Sequence, residues 1–333
     1  MKSKGHHFTI AFYNLENLFD TWNNPSTNDD EFTPGSPKRW TPKRLKRKIY
    51  KLSTTISRIG TGYSPIPPVI VGISEVENRG LLDRMVAHPL LQKWKYRAIH
   101  FDSPDGRGMD TALLYMEEAF KPRTSEAIAV HYPDEEGELA HSRDVLYVEG
   151  LLFGTPISIY VNHWPSRREG VEVTEYRRIA AAKTLLKHLG AAPDHREDIQ
   201  AKLSGSAARR ANCALVLGDF NDRPNDDSIR MITDNGRLVN PFEALATKGL
   251  GSVSHRGAWY LFDQILLSRE FCTPGDLPIS FVQARIFNPK FLGQYRGKFK
   301  GFPFRTYVRN RYKGGYSDHF PVFVQLERAK SAE

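Results

Sequence analysis

Short β-prone runs stop, again and again, at a polar or acidic residue. Eight runs recur along the 333-residue chain: Phe8–Leu15, Val69–Ser74, Ala112–Tyr115, Val145–Phe153, Ile157–His163, Ala214–Leu217, Tyr260–Leu267 and Phe320–Leu326. Asn14 lies at the end of the first, Glu75 ends the second, Asn162-His163 ends the fifth, and Asp219-Phe220-Asn221 follows the sixth. Asp263 follows Tyr260-Leu261-Phe262, and Ser317-Asp318-His319 leads into the last. Residues two apart on an extended strand share a face. Asp219 and Asn221 are therefore expected at one site, and so are Glu75 and Glu77.

Helical patterns fall between the runs. Thr41-Pro42 reads as an N-cap with proline at the first helical position. Leu45, Ile49, Leu52, Ile56 and Ile59 then follow at spacings of four and three, and Gly60 can end the helix. The basic cluster Lys43–Lys51 is expected on its polar face. A second helix is predicted from Glu175 to Leu189 and a third from Asp194 to Leu203. Gly154-Thr155 reads as a hairpin turn. Segments rich in Pro, Gly, Asn and aromatics at 21–40 and 285–315 read as long loops. No repeat or linker divides the chain, so one domain over 1–333 is expected, with basic insertions at about 21–48 and 285–315. Strands and helices without regular βαβ alternation predict two packed sheets with outer helices.

The charge is segregated. The formal net charge is +9, but residues 32–74 and 277–317 each hold nine bases and no acid. The remainder carries 29 bases against 38 acids. That arrangement suits anion-attracting surfaces around a carboxylate-bearing site, or two solvated faces. Two cysteines without CxxC spacing are too few for a disulfide framework, and the Cys and His pairs of a zinc deaminase are absent. No apolar run reaches the ~18 residues of a membrane span. The start MKSKGHHFTI shows no signal-peptide pattern, so a cytoplasmic location is the default, and export is the alternative if a leader has been removed. Gly72-Ile73-Ser74-Glu75-Val76 lacks the last glycine of a nucleophile elbow. Walker A and HExxH motifs are absent.

Taken singly, an Asp-x-Asn after a strand is a turn or a cap, and a Glu at a strand end is solvated. Gathered at one rim, the same residues make a site. Glu75, Asp318 and Asn14 supply hard oxygen ligands, which suit Mg²⁺ or Mn²⁺. His163 and His319 supply imidazoles for phosphate oxygens, each needing a partner to fix its tautomer.

The segments GISEVEN, VNHWPS, LGDFND and GGYSDHFPV, in this order, resemble the endonuclease/exonuclease/phosphatase superfamily with its deoxyribonuclease-I-like fold. The opening FYNLENLFD resembles a bacterial branch of it. The resemblance runs from Asn14 to His319. It implies a four-layer α-β-β-α sandwich of two mixed sheets, with the active site at one end. It implies a Mg²⁺-dependent hydrolase of phosphate esters, with Mn²⁺ as a substitute. Glu75 is then the principal metal ligand, with Asn14 and Asp318 close to the ion. Asp219 orients or deprotonates the attacking water, and Asn221 holds phosphate or nucleophile. His319 polarises the scissile phosphate, oriented by Asp263. His163 donates from the other side, and Asp110 resembles the acid that supports it. Arg143 before the run Val145–Phe153 faces the phosphate or makes a surface ion pair. Asn162, Arg167 and Arg305 complete the candidate substrate contacts, with Arg168, Arg309 and Arg311 on the same rims.

Three functions remain open on the sequence. The first is a phosphodiesterase or nuclease acting by in-line attack of water. The second is a phosphomonoesterase for inositol phosphates or phospholipid headgroups. The third is a non-catalytic nucleic-acid-binding module on the same fold. Between Phe281 and Tyr316 most of the aromatics are expected to pack the loop onto the domain, while some of the arginines favour a phosphate-bearing partner, nucleic acid included. The chain is expected to act as a monomer.

Overall fold

The computed structural model describes residues 6–134, 136–191, 213–273 and 275–329. Two six-stranded sheets carry the fold. In the first, the strand order is Ile279–Ile286, Val322–Arg328, His6–Leu18, Ile70–Val76, Asp110–Met116, Tyr96–His100. In the second it is Leu238–Val239, Asp263–Ser268, Ala214–Asp219, Thr155–His163, Val145–Leu152, Phe120–Ile128. Each sheet has one parallel pair near its centre: His6–Leu18 beside Ile70–Val76, and Thr155–His163 beside Ala214–Asp219. Covered on both faces, these central strands read as continuous apolar runs rather than alternating ones.

One core joins the facing sheets, including Phe12, Ile73, Leu113, Val161, Leu217 and Ile265. The approach is close at Gly72, where a Cβ would lie 3.3 Å from Val161 Cγ1 and 3.4 Å from Leu217 Cβ. A second core lies outside the second sheet, where helix Val171–Ala191 buries Ala181, Ala182 and Leu185 against Tyr160, Val216 and Leu266. Helix Pro42–Ile56 covers the first sheet with Leu45, Ile49, Leu52 and Ile56. The result is helix, sheet, sheet, helix, the deoxyribonuclease-I-like architecture.

Local signals placed the first helix's start correctly and slipped by a few residues at other boundaries. The Thr41 side chain accepts from Arg44 N, with proline at the first helical turn, as predicted. The helix stops at Ile56 rather than Ile59, and Gly60 sits beyond it with φ +70°. The second helix begins four residues before its predicted start, at Val171. The hairpin turn is Phe153-Gly154, both left-handed at φ 48° and 84°, so Thr155 already pairs with Leu152. Asp194–Leu203 lies outside the described residues. Helices Arg79–Val86 and Asp227–Thr233 were too short to show a periodic face.

The two acid-free segments pack on each other, so they are not two independent solvated faces. Lys48 is buried, and its Nζ donates to Thr306 Oγ1 and to the Tyr316 carbonyl, both at 2.6 Å. Lys51 donates to the Gly314 carbonyl and lies 4.3 Å from the Tyr316 ring centroid. Arg44 sits 4.3 Å over Tyr312, and Arg58 5.4 Å over Phe291. The cations on this helix and just after it thus tether the 285–315 loop through its carbonyls and aromatic faces.

Candidate active site

Strand register assembles half of the site. Asp219 ends its strand with His163 opposite it on the parallel neighbour and Asp263 opposite it on the antiparallel one. Three polar side chains therefore form one row across the second sheet. In the first sheet, Asn14 pairs with Ser74, and both strands then bulge, one between Asn14 and Leu18, the other between Ser74 and Val76. A bulge re-aims side chains where pairing ends. Glu16, Asn17 and Glu75 sit in these bulges with φ of 53°, 52° and 63°, and Asn221 across the cleft has φ 50°. Left-handed backbone at four non-glycine positions around one cleft is strain concentrated at a site.

Asp219 is the centre of this group. Its Oδ2 accepts from Asn14 Nδ2 at 2.9 Å, and its Oδ1 accepts from Asn221 N at 3.0 Å. The same Oδ2 lies 3.9 Å from His163 Nε2 and 3.9 Å from His319 Nε2. Burial, then the Asp263 charge, push its carboxyl up to about 7 against the pull of His319 and Asn14. Asn221 Nδ2 donates to the Trp164 carbonyl at 2.9 Å, fixing the turn after the strand.

The two imidazoles are driven apart. Burial lowers both, but at His319 the Asp263 and Asp219 carboxylates reverse it and hold the pKa well above the ordinary value. His319 Nδ1 is 2.7 Å from Asp263 Oδ2, and Ser252 Oγ donates to that same oxygen. At His163, burial and the nearby Arg143 and Arg107 charges act together and keep the pKa well below the ordinary value. One imidazole is charged at neutral pH and the other is neutral.

Glu75 faces His163, with Oε1 3.8 Å from Nε2, while its Oε2 accepts from Asn17 N at 2.7 Å. Glu75, Asp318 and Asn14 offer oxygens and no thiolate, a donor set that fits a hard divalent cation. Asp219, Asp263 and His319 also bring ligand-type atoms within 4.8 Å of one another. Asp318 is held below the ordinary carboxylate range because His319, Arg305 and Lys48 outweigh its burial. Arg305 Nη2 donates to Asp318 Oδ2 at 2.7 Å.

Glu16 was missed by the sequence reading. It is buried, accepts from Thr306 N at 2.5 Å and Arg305 Nε at 3.2 Å, and lies 3.7 Å from Lys48 Nζ. Burial and Asp318 raise its carboxyl to about 6 against Lys48 and Arg305. It connects the first bulge, the helix and the 285–315 loop. Its partners lie far along the chain, so only the alternation-breaking Leu15-Glu16-Asn17 hinted at it.

Several expected contacts take other partners. Asp110 does not support His163: its Oδ2 meets His100 Nε2 at 2.9 Å and its Oδ1 accepts from Ser103 Oγ at 2.6 Å. Among the described residues the buried His163 Nδ1 has no hydrogen-bond partner. Asn162 is not open to substrate, because it is fully buried, accepts from Trp164 Nε1 at 3.1 Å and donates to the Leu217 carbonyl at 3.2 Å. Arg167 is drawn away by the carboxylates of Asp222 and Asp226 and by the Asn221 carbonyl. It clamps the turn after Asp219 instead of lining the rim. Arg143 is buried, 3.5 Å from Asp105, so its ion pair is not a surface one. Glu77 does not join Glu75, since the bulge breaks the alternation. It accepts from Asp20 N at 2.6 Å, and burial lifts its carboxyl to about 7.

Comparison with known proteins bears on the family and the fold. The model of the endonuclease/exonuclease/phosphatase family matches residues 9–328. Among solved structures, a humanised TDP2 of D. rerio superposes with a TM-score of 0.58 at 13% identity, covering 96% of this chain and 99% of that one. A Bacteroides thetaiotaomicron mannosyl-6-phosphatase gives 0.55 at 15% identity, with 96% and 99% covered. The human Nocturnin catalytic domain with bound sulfate gives 0.53 at 16% identity, with 99% and 95% covered. At these identities the likeness concerns the fold. No curated protein matches the chain significantly. No helix among the described residues is long and apolar enough to cross a membrane.

Proposed function

The chain belongs to the endonuclease/exonuclease/phosphatase family, and from that premise we propose that it is a divalent-metal-dependent phosphodiesterase that hydrolyses by in-line attack of water. One observation supports this most. A buried carboxylate whose pKa lies near neutrality stands 3.9 Å from each of two imidazoles with opposite protonation. A general base works best when its pKa lies near the operating pH. Asp219 meets that condition, and Asn14 and Asn221 N fix its orientation toward a water.

The charged His319 donates from Nε2 to a phosphate oxygen, and Asp263 holds the ring so that Nε2 faces the cleft. The neutral His163 presents Nε2 from the opposite side and adds no positive charge to the cleft. Stabilising charge on equatorial oxygens by fixed donors is the main catalytic need in phosphoryl transfer. Glu75, with Asn14 and Asp318 beside it, would hold Mg²⁺ or Mn²⁺, which neutralises phosphate charge when bound.

A single domain acting as a monomer suffices for this chemistry, because every named group comes from one chain. The second reading, a phosphomonoesterase, has a mannosyl-6-phosphatase among similar folds in its favour. A panel of Mg²⁺ and Mn²⁺ against bis(p-nitrophenyl) phosphate, plasmid DNA, single-stranded DNA, RNA and inositol phosphates, with an EDTA control, tests the proposal. Metal-dependent cleavage of diesters is expected. Cleavage of monoesters alone rejects it.

A further inference from the structure

We infer that a second anionic subsite adjoins the catalytic group, built to take another phosphate of a compact substrate. The inference rests on the phosphodiesterase reading and adds what the substrate must carry. A cavity of about 310 Å³ opens beside Asn17, the residue whose N–H holds Glu75. Lys38, Arg107, Arg168, Arg305 and Arg309 line it.

The cations are unequally neutralised. Lys38 pairs with Glu31, and Arg305 with Glu16 and Asp318. Arg107 donates only to the neutral Asn17 Oδ1, at 2.7 Å. Arg168 and Arg309 have no hydrogen bond or ion pair among the described residues. Three arginines therefore line one small space with no carboxylate bound to any of them among the described residues. Like charges so arranged repel in the free protein and are relieved by an anion. Guanidinium forks match phosphate oxygens in pairs. Arg309 is held with φ 52°, a backbone that a non-glycine residue seldom adopts.

The size sets the class of ligand. About 310 Å³ lies at the lower end of small-molecule sites. It admits one phosphorylated sugar or nucleoside, not a stretch of duplex. Phe19, Phe32 and Tyr307 add an aromatic wall, with Phe19 and Phe32 stacked at 4.2 Å. The substrate is then a diester with a second phosphate within one sugar of the scissile one.

Matched diesters test this. TpT and 5′-phosphorylated pTpT supply the nucleotide arm; glycerophosphoinositol and its 4-phosphate supply the sugar arm. Bis(p-nitrophenyl) phosphate reports the chemistry alone. In at least one arm the added phosphate is expected to lower KM about tenfold. Arg168→Ala and Arg309→Ala should bring that KM ratio close to one. A filter-binding measurement of pTpT and inositol 1,4-bisphosphate in EDTA should show the same loss without turnover. A wild-type KM ratio within twofold in both arms overturns the subsite, and so does an unchanged ratio in both variants. If bis(p-nitrophenyl) phosphate is not cleaved either, the phosphodiesterase reading itself has failed.

Discussion

His319 Nδ1 stands 2.7 Å from Asp263 Oδ2, although His319 lies in the segment leading into strand Val322–Arg328 of the first sheet and Asp263 opens a strand of the second. The contact decides the protonation of the ring, because burial alone would discharge it. Replacing Asp263 with Asn removes the first charge that holds the proton. The sign for stability follows from a raised histidine pKa. The contribution is full below the ordinary value near 6.5 and is lost as pH rises through the higher folded value. Asp263→Asn should therefore move the basic limb of the pH–rate profile downward. At pH 8 the rate should fall by about 10²-fold or more, with a smaller loss at pH 6. Profiles of kcat against pH, with imidazole titration by NMR, check this.

Asp219 carries a cost in the metal-free fold. Its folded pKa of about 7 exceeds the usual carboxylate value, so the charged form is disfavoured on folding. Stability should fall as pH rises from about 4 through 7. Asp219→Asn should abolish turnover yet raise the stability of the metal-free protein at pH 8 by about 1–3 kcal/mol. The gap should close near pH 4. Thermal melts in EDTA across this range measure it.

Lys48 and Glu16 form a buried pair at 3.7 Å with side chains 1% and 5% exposed. Lys48→Met leaves Glu16 with less compensation and frees the Tyr316 carbonyl. The expected loss is about 3–5 kcal/mol, and the double variant with Glu16→Gln should recover part of it. Urea denaturation of the two single variants and the double one gives the coupling.

Gly218 precedes Asp219, and a Cβ there would lie 2.7 Å from Asn162 Cβ and 2.8 Å from Asn162 O. The obstacle includes backbone of the neighbouring strand, which cannot step aside. Gly218→Ala should cost about 1–3 kcal/mol. It should also lower kcat by shifting Asp219 from His163. A variant of wild-type stability and rate would show that the strand pair is looser than the register implies.

The layers of the fold were legible because apolar runs and amphipathic spacing act locally. Asp219 and Asp263 were legible because they sit where apolar runs begin or end. Glu16, Asn162 and Lys48 were not. Each looks solvated in sequence, and each is buried through partners on other elements: Thr306 for Glu16, Trp164 and Leu217 for Asn162, Tyr316 for Lys48. Arg167 misled for the opposite reason, since the competing Asp222 and Asp226 lie more than 50 residues away. Charge counts could not show that the two acid-free segments hold each other. Part of their basic charge, at Arg44, Lys48, Lys51 and Arg58, is spent on tethering one segment to the other.

In the proposed mechanism Glu75 and His319 serve one metal-dependent reaction on a phosphodiester. The direct test is the rate of bis(p-nitrophenyl) phosphate hydrolysis during a Mg²⁺ or Mn²⁺ titration, for the wild type, Glu75→Ala and His319→Ala. The wild type should turn over only with metal. Both variants should lose about 10²- to 10⁴-fold in kcat at saturating metal, with melting curves showing that they remain folded. Metal-dependent hydrolysis near the wild-type rate in both variants would contradict the account.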